Sequence, residues 1–168
     1  MPKITRIALP SAVAGAVIAL VVSAAVARAP KPQSAKGGSI SAVTAVSSAE
    51  RTYVNVPAGK WANVPGANAK VTVPSGWHAA LVIATLSADG ICSGGECEVR
   101  VTVDGHVANP AANTDGFLIG QRNATFVRWM TVGHGAHTVQ VQVGIATGTE
   151  GTVRLDDWSF TVERAKSG

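Results

Sequence analysis

The chain is poor in the residues that usually announce a function. Of its 168 residues only 14% are charged and 5% aromatic, and there is a single tyrosine. Lys and Arg form no cluster and are not interleaved with aromatics, which argues against nucleic acid as a partner. The shortage of rings leaves few platforms on which a sugar could stack: Trp61, Trp77, Trp129, Trp158 and Tyr53. No serine sits in a G-x-S-x-G elbow. The adjacent carboxylates Asp156 and Asp157 would point to opposite faces of a strand, a poor geometry for cleaving a glycosidic bond. The reading is therefore of a protein without catalytic residues. Beyond residue 50 the sequence also lacks an amphipathic helix and an internal repeat.

The N-terminus reads as an export leader. Lys3 and Arg6 precede an apolar run over residues 7–27, which ends in Ala25-Val26-Ala27. That order of parts predicts a secretory signal peptide over 1–27, cleaved after Ala27. The alternative is an uncleaved membrane anchor, because the run holds 21 residues and about 20 span a bilayer. Either way the remainder is expected outside the cell, secreted or held there by residues 7–27. Without Lys3 and Arg6 the net charge falls from +4 to +2, so the basic balance says little about partners. Residues 28–50, which open RAPKPQSAKGGS, read as a flexible spacer. One domain is expected over 51–165, with a short tail at 166–168.

Within that domain the hydrophobic period is two. Cys97-Glu98-Val99-Arg100-Val101-Thr102-Val103-Asp104 alternates without a fault, and Thr138 to Val143 does the same, with Ile145 in phase. Strict alternation marks antiparallel strands with one buried and one wet face. Ala79–Leu86, more continuously apolar, predicts a central strand. Thr125–Val132 and Thr152–Val162 are further strands, and Thr52–Val56, Trp61–Val64, Ala69–Val73 and Phe117–Ile119 are shorter candidates. Asp104-Gly105 is a two-residue hairpin signal, and Pro65-Gly66 and Gly133-His134-Gly135 read as breakers. The expected fold is all-β, an antiparallel β-sandwich of jelly-roll type behind the N-terminal signal or transmembrane helix.

The two cysteines, Cys92 and Cys97, flank Ser93-Gly94-Gly95-Glu96 between two strands. A redox pair would read C-x-x-C and a zinc site would need four ligands, whereas a Gly-Gly turn in an oxidising compartment suits a disulfide. Closing so short a loop is worth roughly 2 kcal/mol. In Thr152–Arg164 the apolar parity slips by one at Asp156-Asp157: Val153 and Leu155 are odd, but Trp158, Phe160 and Val162 are even. A bulge there absorbs the slip. The two carboxylates would accept backbone hydrogen bonds or, alternatively, contribute to a structural calcium site; no other cofactor is implied. Trp158 shares the parity of the core. Trp61 and Trp77 lie beside turns and are the candidate ligand-binding rings. His134 and His137 lack a third metal ligand, and His78 and His106 read as solvated. Asn123-Ala124-Thr125 is an N-glycosylation sequon.

The runs VRLDDWSFTVERA, GAHTVQVQV and LSADGICSGGECEVRVTVDG together resemble a family of small exported bacterial β-sandwich proteins of uncharacterised function, over roughly residues 52–165. The LDDWSFTVER ending is also similar, more weakly, to the last strand of jelly-roll carbohydrate-binding modules. There an Asp pair lies beside a structural calcium, which implies Asp156 and Asp157 as candidates. The function expected is a non-catalytic binding or surface-interaction module, its partner a cell-surface glycan or protein. A structural, self-assembling envelope protein of the trimeric jelly-roll type is the alternative. A membrane enters only if the leader is retained.

Overall fold

The computed structural model describes residues 37–111, 115–117, 122–146 and 148–167. The expected signal peptide or anchor at 1–27 and most of the candidate strand Phe117–Ile119 lie outside them. Ten strands follow in order: β1 (Ile40–Ser48), β2 (Thr52–Val56), β3 (Trp61–Val73), β4 (Ala80–Cys92), β5 (Cys97–Val103), β6 (His106–Val107), β7 (Asp115–Phe117), β8 (Arg122–Val132), β9 (Gly135–Ile145) and β10 (Gly151–Lys166). Every pairing is antiparallel. The first sheet runs β1-β10-β4-β8, with β2 beside β10. The second runs β3-β9-β5-β6, with β7 beside β5. The two pack face to face as a β-sandwich.

The alternating segments build the interior as their parity requires. Val99, Val101 and Val103 on β5 and Val139, Val141 and Val143 on β9 are buried, and meet Leu86, Phe126, Leu155, Phe160 and Val162 from the first sheet. Nine of the twelve largest fully buried side chains are valines. Their single preferred χ1 suits a pleated surface and fills the space with little loss of rotamer freedom. Phe160, wholly buried, is worth up to about 3 kcal/mol of apolar transfer by itself. The Asp104-Gly105 hairpin forms as expected, with both residues at positive φ (51° and 82°).

Three boundaries differ from the sequence reading. First, the expected spacer is not structureless to residue 50, because Ile40–Ser48 is a strand paired to β10 from Ala165 to Trp158. Its alternation is muted by Ser and Ala, and most of its side chains are exposed, so the pattern carried little signal. Second, Trp61–Val64 and Ala69–Val73 are one strand. Its register against β9 jumps from Asn63 to Asn68 while β9 moves only from Gln142 to Gln140, so three extra residues bow out around Pro65-Gly66. Strand β3 lies at the edge of its sheet, where a proline removes no shared ladder bond. The Gln140 amide closes the gap, donating to the Val64 and Ala67 carbonyls at 3.3 and 3.1 Å. Third, β4 extends to Cys92. It is central, as expected, but its outer face is half-buried rather than covered.

Candidate binding surfaces

The parity slip in β10 is a bulge. Leu155 pairs with Gly90 and Trp158 with Ala88, so three steps along β10 match two along β4. Asp156 and Asp157 occupy the extra length and go separate ways. Asp156 is held between two guanidinium groups, Arg154 Nη2 at 2.8 Å and Arg51 Nε at 3.1 Å. Asp157 is exposed and faces a groove on the outer side of the first sheet. Beyond the slip Trp158 returns to the interior, where its indole Nε1 donates to Thr52 Oγ1 at 3.1 Å.

The groove encloses about 700 Å³. Its floor is a row of hydroxyls in register across four strands: Ser47 opposite Ser159, Ser159 opposite Ser87, and Ser87 opposite Thr125. Strands sit about 4.8 Å apart, so the row spans roughly 14 Å. Ser87 and Thr125 hydrogen-bond each other at 2.9 Å. Asp157, Asp89 and Asn123 line one end, and Oδ1 of Asp89 is buried without a hydrogen-bond partner. None of the three serines was singled out from the sequence, and Thr125 only within its sequon, because a row across strands is invisible along one of them.

Trp61 and Trp77 do not form one surface. They lie at opposite ends of β3, which advances along β9 only from Gly144 to Gly135, nine steps at about 3.3 Å each or roughly 30 Å. Neither ring is bare. Trp77 packs partly on the core, with the Arg164 guanidinium 5.1 Å from its centroid. Trp61 lies across Gly144, where a β-carbon would come within 3.1 Å of the ring and push it aside by a few tenths of an ångström. The Arg100 guanidinium stacks over the same ring with Cζ 4.2 Å from the centroid. Approach in the ring plane stops farther out, at the ring radius plus a contact of about 3.5 Å. Arg100 Nε donates to Gln142 Oε1 at 2.7 Å, and Gln142 Nε2 donates to Asn63 Oδ1 at 2.8 Å. A belt of three planar polar groups thus runs across β3, β9 and β5. Burial raises the Glu98 carboxyl on the same strand above its ordinary range, with Glu96 adding repulsion.

Cys92 and Cys97 are disulfide-bonded, with Cα atoms 5.7 Å apart. Gly94 and Gly95 supply the turn at φ 97° and 136°, a region open to glycine alone at this tightness. His137 is structural: Nδ1 meets Asp104 Oδ2 at 2.7 Å, and Nε2 meets the Gly133 carbonyl at 3.0 Å. His134, His78 and His106 are exposed. The Asp104 carboxylate also accepts the Thr138 N–H at 2.8 Å, and this bond, with that to His137, holds its pKa below the ordinary 3.8.

No group of three or more His, Cys, Asp or Glu side chains placed to hold a metal occurs among the described residues. Calcium takes six to eight oxygens, and Asp156 has already committed its carboxylate to two guanidinium groups. As the side chains stand, the Asp pair does not fit that ion. No family model and no curated protein matches the chain.

Proposed function

We propose that this is an exported, non-catalytic binding module whose contact surface is the groove on the outer face of the first sheet. The single observation behind the reading is the registered hydroxyl row Ser47–Ser159–Ser87–Thr125 beneath about 700 Å³ of open space, with Asp157, Asp89 and Asn123 at its end. Closely spaced donors and acceptors on a rigid sheet suit a polyhydroxylated ligand such as a cell-surface glycan. The strand orders support the finer reading of the sandwich as a jelly roll: from β2 the chain alternates between sheets except at β5–β7, and β10 lies between β1 and β4, far from β1 in sequence. Secretion, or anchoring by residues 7–27, remains the expected location.

The test is a thermal melt of the protein against a panel of soluble glycans, with calcium and with EDTA. A ligand at a hundred times its Kd stabilises by about 2.7 kcal/mol, a rise of several degrees at this size. A glycan shift that disappears in Ser159→Trp, which fills the groove, is the expected result. A flat response across the panel, or a shift indifferent to Ser159→Trp, sinks the reading. A shift with calcium that EDTA reverses would restore Asp157 and Asp156 as a metal site.

A second reading is self-assembly through the same sheet. Val43 and Val127 on its outer face are 57% and 45% exposed, and exposed apolar side chains there suit a copy-to-copy contact. Sedimentation of wild type against Val43→Glu/Val127→Glu decides it. A wild-type monomer at tens of micromolar removes this reading.

A further inference from the structure

Arg100 is built like a receptor for an anion. Its guanidinium is fixed by two contacts that use neither terminal nitrogen: the stack over Trp61 at 4.2 Å, and the Nε bond to Gln142 at 2.7 Å. Gln142 is itself braced by Asn63. Among the described residues no acid forms an ion pair with Arg100, and burial lowers its pKa below the ordinary guanidinium value, the mark of a cation partly stripped of water. Both terminal nitrogens therefore keep their donors in hand, on a plane already held in place.

Those donors border a small cavity of about 100 Å³ at the edge of the second sheet. Trp61, Arg100, Val107, Pro110 and Arg128 help to line it. Arg128 is buried, with Nη1 donating to the Val127 carbonyl at 2.9 Å, and it brings a second guanidinium to the same wall. A space of that size has room for a group such as a carboxylate or sulfate. A planar guanidinium matches such oxyanions two bonds at a time. Beside it, along the belt, lie the Gln142 and Asn63 amides at strand spacing, groups that pair with hydroxyls.

We infer that Arg100, stacked on Trp61, binds the carboxylate or sulfate of an acidic sugar whose ring lies along the Gln142–Asn63 belt. This site is on the opposite sheet from the hydroxyl groove and stands whether or not the groove binds anything.

The probes are glucuronate, galactose 6-sulfate and, as the neutral control, glucose. Each is titrated into the full-length protein, with calorimetry and tryptophan emission as readouts. Saturable binding of an acidic sugar, with glucose inert at the same concentration, is expected. The ratio of glucuronate to galactose 6-sulfate affinity tells carboxylate from sulfate. Arg100→Gln should weaken binding about tenfold or more. Arg100→Lys, which keeps the charge but not the plane, should fall between. Trp61→Phe should still bind by calorimetry while losing the emission change, which assigns the signal among four tryptophans. Equal responses to glucose and glucuronate overturn the proposal, as does wild-type affinity in Arg100→Gln. Binding of an acidic peptide with no binding of either acidic sugar would overturn it in favour of a protein partner. The comparison of sugars uses wild-type protein alone, so it decides the matter even if Arg100→Gln fails to fold.

Discussion

Asp156→Ala and Asp157→Ala should behave differently although the residues are neighbours. Asp156 is 13% exposed and grips Arg154, itself 27% exposed, together with Arg51, which is 66% exposed. Losing one partner of a fully buried pair costs 3–5 kcal/mol, and losing an exposed pair costs about 0–1. The Arg154 contact lies between these limits and the Arg51 contact near the lower one, so Asp156→Ala should cost about 2 kcal/mol. Much of that is the penalty of leaving a half-buried Arg154, whose Nε already lacks a partner, without its carboxylate. At roughly 4 °C per kcal/mol the midpoint should drop by ~8 °C. Asp157 faces the groove, and its removal should change stability by no more than about 0.5 kcal/mol. Removing both charges of the inner pair, as Asp156→Ala/Arg154→Met, should recover part of the loss. Urea melts at neutral pH give all three values. Equal losses from the two single substitutions, or a double variant worse than the sum, would refute this account of the bulge.

Three further outcomes follow from the same contacts. Cys92→Ser/Cys97→Ser should lose about 2 kcal/mol through a freer unfolded chain, and a reductant on wild type should reproduce that loss in a denaturant melt. The lowered Asp104 pKa contributes stability that is present above the unfolded value of 3.8 and is lost as pH falls through the folded one. Asp104→Asn tolerates the positive φ and should flatten that acid limb, by a small amount because the side chain is 46% exposed. Phe160→Ala should cost about 3–5 kcal/mol, read by calorimetric unfolding, since the residue is wholly buried at the centre of β10.

The strands with long side chains on one face were legible from their parity alone. Val99–Val103 and Val139–Val143 face inward as the alternation required, and the slip at Asp156-Asp157 marked the bulge before any pairing was known. Strand β1 was not legible, because Ser and Ala alternate with little contrast and an edge strand buries little. The continuity of β3 past Pro65 was hidden because its detour is held by Gln140, a residue 73 positions from Ala67. The surfaces were the least legible part. Trp61 was found, but its partner Arg100 is identified only by the structure, and the room that Gly144 leaves for the ring has no signature along the chain. Arg128, on a buried parity of β8, contradicts the rule that charges face water.

Strand β10 has a consequence for how this protein comes to exist. It is flanked by β1 and β2 on one side and β4 on the other, so every strand of the first sheet except β8 hydrogen-bonds to it directly. Ile40 finds its neighbour only at Ala165. Until synthesis has reached the 150s and 160s, β1 and β2 have no partner in their sheet and β4 can pair only with β8. Assembly must wait for the last strand, and closing loops of more than a hundred residues is slow. The first sheet is thus late by topology: its spine is the strand made after all the others in it.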